Sequence, residues 1–146
     1  MLTPEQLGQI FEMRVLMEPF AAKVAASRHT SELAVQMRQA ADRMRTRASG
    51  TEPAMGREFH SDDACLHDLI AAAAGNPLLR DAITKLHVHV HLHRVRNDAR
   101  ASVAAIAEHD AVVDAITNRQ PGAASRAMKD HLLASYERIR SSFRQD

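Results

Sequence analysis

The sequence predicts an all-α fold, an antiparallel up-and-down bundle of about six helices, and three observations carry that expectation. Twenty-six of the 146 residues are alanine, Leu, Met and Arg are abundant, and aromatic residues make up only 3%, a composition that favours helix over sheet. Four of the five prolines, Pro4, Pro53, Pro77 and Pro121, stand where a helix would open, because a proline in the first turn forfeits no intrahelical bond. The breaks between the helical stretches are only a few residues long, which suits antiparallel neighbours.

Each element has its own start and stop. Thr3, Pro4 and Gln6 supply an N-cap, a first-turn proline and a capping-box acceptor for a first helix from about Pro4 to Ser27. Thr30 and Ser31 begin a second, which the Ser49-Gly50 pair ends. Pro53 opens a third that stops at Gly75 after the run Ala71 to Ala74. Asn76-Pro77 repeats the cap-then-proline signal for a fourth, expected to end between Asp98 and Ser102. A fifth follows to about Asn118, and Pro121 opens a sixth that runs nearly to the C-terminus. No internal repeat or low-complexity linker interrupts them.

A chain of 146 residues builds one ordinary core, so residues 1–146 are expected to form a single domain. Its lone cysteine, Cys65, excludes a disulfide framework and a cysteine-built zinc site; a reducing, cytoplasmic setting is the simpler expectation, with Cys65 as a small buried packing residue. A net charge of +1 offers no bulk attraction for nucleic acid or an anionic membrane, although sixteen of the nineteen basic residues are arginine. No apolar run reaches the roughly 20 residues of a spanning helix, and the first ten residues lack a signal-peptide pattern.

The informative anomaly is polar residues on apolar faces. At about 100° per residue, Ser102, Ile106, His109, Val113 and Ile116 share one arc of the fifth helix, which aims His109 at the core. In the third, Asp63 lies within the stripe Phe59, Leu66, Ile70 and Ala73, with His67 one turn on. In the sixth, His131 borders Ala124, Met128, Leu132, Ser135 and Ile139; in the first, Leu7, Ile10, Met17 and Ala21 surround Arg14. An unpaired buried carboxylate would cost several kcal/mol, so Asp63 needs a partner or a cation. Asp63 and His67, four residues apart, can reach one ion; with His109 and His131 they make three imidazoles and a carboxylate, a set for zinc first and otherwise nickel, manganese or iron. The competing account is that these are hydrogen-bonded core residues without an ion.

The run His87-Val88-His89-Val90-His91-Leu92-His93 alternates like a strand, but Leu79, Ile83, Leu86 and Val90 keep helical spacing. Read as helix it forms the pairs His87/His91 and His89/His93, most of whose rings are expected on solvated or half-buried faces. Arg94 lies near that helix's apolar stripe. With Arg14 it either faces a buried anion or makes an internal ion pair, for example with Glu18 or Asp63. No E-x-x-H or H-E-x-x-H occurs, which removes the di-iron bundle and the common zinc-protease helix, and five scattered glycines build no phosphate loop.

Taken together, Glu12-Met13-Arg14 with Glu18-Pro19, Asp63-Ala64-Cys65-Leu66-His67, Ala74-Gly75-Asn76-Pro77-Leu78-Leu79, Glu108-His109 with Asp114-Ala115-Ile116, and His131-Leu132 give a pattern that resembles the FCD domain. That is the C-terminal effector-binding domain of FadR-subfamily GntR transcriptional regulators, and the resemblance runs from about Leu2 to Arg138. It implies a bundle of six or seven helices around a central cavity, in which Asp63, His67, His109 and His131 hold a divalent metal beside a small organic acid. It further implies that Arg14 helps anchor an effector carboxylate, with Arg94 less securely placed and His89 or His93 lining the pocket. It also implies a homodimer, and DNA binding through an N-terminal winged helix that this chain does not contain. The expected function is therefore a non-enzymatic sensor domain. The alternatives are a bundle metallohydrolase or isomerase, with a helix-4 histidine or Glu108 as its base, and a dimerisation module with a vestigial cavity.

Overall fold

The computed structural model describes residues 1–50, 53–97 and 102–144, with the side chains of 53–55 and 97 left aside. Its elements are six helices: α1 (Pro4–Arg28), α2 (Ser31–Ala48), α3 (Pro53–Ala73), α4 (Pro77–Asn97), α5 (Val103–Thr117) and α6 (Pro121–Ser142). The described residues contain no strand, and the histidine run is helical.

The boundaries follow local chemistry. Thr3 caps α1, accepting from the amide of Gln6 while the Gln6 side chain accepts from Thr3, a reciprocal capping box. Thr30 accepts from the amide of Leu33 and starts α2. Asn76 accepts from the amides of Leu78 and Leu79 at the head of α4. Gly75, at φ +73°, takes the left-handed turn that ends α3 and admits glycine without strain. Ser102 is the N-cap of α5 and accepts from the amide of Ala105, so it lies before the helix and not within its stripe as the face count had it. The expected end of α4 at 98–101 lies outside the described residues.

The helices do not all pack in chain order. α1 lies against α3, α4, α5 and α6 but shares no packed face with α2, although only His29 and Thr30 separate them. α2 packs on α3 and α5 instead. The two-residue connection alone would suit an antiparallel return, and the hydrophobic faces decide the neighbours instead. Pairings along the bundle give directions: Phe11 meets Tyr136 in a tilted ring contact at 5.3 Å, and Arg119 at the head of α6 donates to the carbonyls of Ser27 and His29 at the far end of α1, so α1 and α6 are antiparallel. Arg119 itself sits at φ 54°, a strained position for a side-chain-bearing residue whose cost of about 1–3 kcal/mol is offset by those charge-assisted bonds to a helix C-terminus. α2 and α3 are also antiparallel, pinned by Arg43–Asp62 at 2.8 Å and Arg47–Glu58 at 3.1 Å. α2 and α5 are joined by Arg38–Asp114 and Arg45–Asp110.

One apolar cluster draws on all six helices, with Leu7, Met37, Phe59, Val90, Val113 and Leu132 among its members. A small second cluster, Ala21, Ala71, Ala74 and Ile83, seats the start of α4 on α1 and α3. Cys65 is exposed on α3, not buried as expected; Leu66, next to it, takes the core position. Leu7 is 0% exposed whereas Leu16 on the same helix is 73% exposed. Leu7→Ala should therefore lower unfolding free energy by about 2–5 kcal/mol, and Leu16→Ala should stay within about 0.5 kcal/mol, both read from urea midpoints at unchanged slope.

Candidate metal centre

α3, α5 and α6 bring Asp63, His67, His109 and His131 to one point, each of them buried. One donor atom from each lies within 4.8 Å of all the others. His109 Nε2 is 2.8 Å from Asp63 Oδ1, His67 Nε2 is 3.6 Å from the same oxygen, and His131 Nε2 is 3.2 Å from both His67 Nε2 and His109 Nε2. A tetrahedral zinc with bonds near 2.1 Å has donor–donor edges of about 3.4 Å. These donor types at these separations fit a divalent transition metal, with the three imidazoles and one carboxylate as the residues that would hold it.

The far sides of the rings are organised as well. His67 Nδ1–H donates to Glu18 Oε1 at 2.6 Å, and His131 Nδ1–H donates to Glu108 Oε1 at 2.8 Å. Each glutamate is held by an arginine: Arg14 Nε to Glu18 at 2.6 Å, and Arg138 to both oxygens of Glu108 at 2.8 Å. Arg94 donates to Asp63 Oδ2 at 3.1 Å. His87 Nε2 lies 2.9 Å from Glu18 Oε1 and 3.1 Å from Arg14 Nη2, and can satisfy only one of them in a given tautomer.

Electrostatics follow from this packing. Burial works against both carboxylates, yet Arg14, His87 and His67 hold Glu18 well below the usual range, and His67, Arg94 and His109 do the same for Asp63. Burial opposes the charge on His67 too, but Glu18 and Asp63 outweigh it and raise its pKa to about 9. His87 is pushed down to about 4 by burial and by Arg14, and His131 to about 3 by burial and by His109. Glu108, despite burial, is drawn down to about 2 by Arg138 and His131.

The residues singled out in the sequence fall into three groups. Asp63, His67, His109 and His131 come together. Arg14 and Arg94 border the cluster but are engaged by Glu18 and Asp63, the internal pairs that were the alternative to an anion site. His89 and His93 are not brought to it; they line a separate open cleft of about 620 Å³ between the start of α1 and α4, where His93 also stacks on Phe143. Glu108 sits behind His131, bonded to its outer nitrogen, and so is not placed as a base at the donor atoms. Glu18 and His87 were not singled out as site residues. The i,i+4 spacing of Arg14 and Glu18 marks their pairing, but nothing in the periodicity reveals a partner on another helix.

Beside the cluster the interior is nearly closed. A void of about 10 Å³, room for one water, is bordered by Arg14, Asp63, His87 and Arg94. It shares Ala64, His87 and His91 with an outer pocket of about 150 Å³ on the seam between α3 and α4.

A model of the FCD domain matches residues 9–134. The chain is 27% identical over 140 residues to the galactonate operon transcriptional repressor of Escherichia coli (strain K12), a match covering 94% of this chain and 59% of that protein. Its fold is similar to that of Streptococcus agalactiae GntR, with a TM-score of 0.79 at 20% identity, over 94% of this chain and 61% of that one. The chain thus spans about three fifths of the length of these relatives. Among the described residues no helix is long and apolar enough to cross a membrane.

The shifted histidines set a pH profile for the metal-free protein. A raised pKa gives His67 a stabilising effect that is complete below its unfolded value of 6.5 and lost as pH rises through about 9. Lowered values make His87 and His131 lose stability as pH falls from 6.5 through about 4 and about 3. In EDTA, the melting temperature should peak near pH 6.5 and fall on both sides, and His67→Gln should flatten the alkaline limb; a profile still rising from pH 7 to 9 contradicts the assignment.

Proposed function

The chain belongs to the FCD domain family, and on that basis we propose that it is the ligand-sensing domain of a GntR-type transcriptional regulator, with a divalent metal held by Asp63, His67, His109 and His131. The observation that carries the reading is the convergence of four buried donors from three helices. Zinc is the expected ion, with nickel, manganese or iron as alternatives for the same donors. When bound, such an ion supplies a Lewis-acidic centre for an oxygen ligand and ties α3, α5 and α6 together.

The second ligand in this reading is a small carboxylic or hydroxy acid, consistent with the galactonate operon named for one relative. Its charge would be met by Arg94 and Arg14, which border the void. Each already holds a carboxylate, so an incoming one has to share these guanidinium groups with Asp63 and Glu18. A void of about 10 Å³ does not admit an organic acid, so uptake requires α4 to move away from α3 along the seam lined by His87 and His91. That displacement is the conformational change a sensor needs, because an effector shifts an equilibrium only by binding one state more tightly. In the parent regulator, read as a homodimer, it would alter the placement of N-terminal winged-helix domains on DNA. Residues 1–146 serve as one sensing domain with no catalytic step.

Tag-free protein should carry about one divalent ion by elemental analysis, and chelation should lower its melting temperature, since a ligand present at 100 times its Kd adds about 2.7 kcal/mol. His109→Ala should abolish stoichiometric binding; an H109A protein with full metal content and unchanged thermal stability defeats the site assignment. Titration of the loaded protein with small hydroxy acids, galactonate included, should give saturable binding without turnover, and product formation would favour a hydrolase instead.

A further inference from the structure

Two of the three imidazoles have a carboxylate behind them and the third does not. Arg14–Glu18–His67 and Arg138–Glu108–His131 are parallel chains, guanidinium to carboxylate to Nδ1, built from different helices: α1 onto α3, and α6 through α5 back to α6. Both end on a ring whose Nε2 lies at the shared centre, 3.2 Å from the Nε2 of another ring. His109 Nδ1 is buried with no hydrogen-bond partner among the described residues.

We propose that Glu18 and Glu108 are positioning residues for the metal: by accepting Nδ1–H they lock His67 and His131 in the tautomer whose Nε2 lone pair faces the ion. This rests on the metal-binding reading above. The physical reason is that a neutral imidazole carries one ring proton, and whichever nitrogen finds the stronger acceptor keeps it. A carboxylate at 2.6 or 2.8 Å outcompetes any other acceptor for that proton. It also increases electron donation from the opposite nitrogen, and loss of such a partner typically weakens metal affinity by roughly 10- to 100-fold.

The arginines complete the device. Two-pronged binding by Arg138 and the 2.6 Å contact from Arg14 fix the orientation of both carboxylates toward the rings they hold. The two chains differ in setting. Glu18 is buried and shared with His87 of α4, whereas Glu108 is 22% exposed in its side chain and is held by a 30% exposed arginine. Glu108 is therefore the one to test, since replacing it leaves no buried charge unpaired.

Zinc affinity of tag-free wild type, E108A and E108Q, measured by competition with a chromophoric chelator, should rank wild type, then E108Q, then E108A. The alanine variant should be weakened roughly 10- to 100-fold and the glutamine variant by less, because its carbonyl still accepts Nδ1–H. Long-range 15N spectra of the zinc-loaded protein should show His67 and His131 bonded through Nε2 with Nδ1 protonated, in wild type and in E108Q. Wild-type affinity in E108A, or coordination of either ring through Nδ1, overturns the proposal. Should E108A fail to fold, the nitrogen assignments in wild type and E108Q decide. A wild-type chain that takes up no zinc defeats the metal reading itself, which separates that failure from this one.

Discussion

Two carboxylates, Asp63 and Glu18, are buried among helices, and the surrounding structure is arranged so that neither is left without a counter-charge. The constraint is severe, because an ionised carboxylate moved out of water loses several kcal/mol of hydration even after relaxation. Each solution recruits a different helix. Glu18 takes Arg14 from its own helix and His67 from α3, while Asp63 takes Arg94 from α4 and His109 from α5. Satisfying two anions thereby fixes the relative placement of α1, α3, α4 and α5, a specification that alanine-rich packing alone, tolerant of sliding, supplies less sharply. The apolar clusters provide the driving force, and the polar centre selects one register among the packings they would allow.

Much of this was legible before any coordinates. Four first-turn prolines and the caps Thr3, Thr30 and Asn76 place the starts of five of the six helices, because those signals act within a few residues of where they stand, whereas Ser102, the cap of α5, reads as part of a stripe. The four convergent donors were legible for a related reason: burial of a polar side chain shows as an interruption in a helical stripe. What was not legible is pairing between helices. Glu18 and Glu108 have no anomalous position in their own stripes that identifies His67 and His131 as partners 49 and 23 residues away. The neighbours of α1 were similarly hidden, since a two-residue connection suggested α2, whereas burial of Leu7, Phe11 and the alanine face placed α6 and α3 there. Cys65 was assigned to the core on residue type alone, and the register of α3 put Leu66 there in its place.

α4 stands apart from the other helices in how it is held. Its first half is seated by Ile83 on a small apolar cluster, but among the described residues of its second half only Val90 joins the main core. Beside it, among the described residues, that half makes the polar contacts His87 to Glu18, His93 to Ser142 and Arg94 to Asp63, and His93 stacks on Phe143. Apolar contacts are lost outright when a helix shifts, whereas polar contacts can be exchanged for equivalent ones to water or a ligand at a small net cost. A helix anchored at one end by apolar packing and held at the other by exchangeable bonds is suited to pivot about the anchored end. The bonds it would exchange are those to Glu18 and Asp63, so in the proposed reading a ligand that moved α4 would also change what faces Asp63 and the carboxylate behind His67, two residues of the proposed metal site. Metal affinity and effector affinity would then be linked, each altering the other by the same factor, as any coupling between two binding equilibria requires.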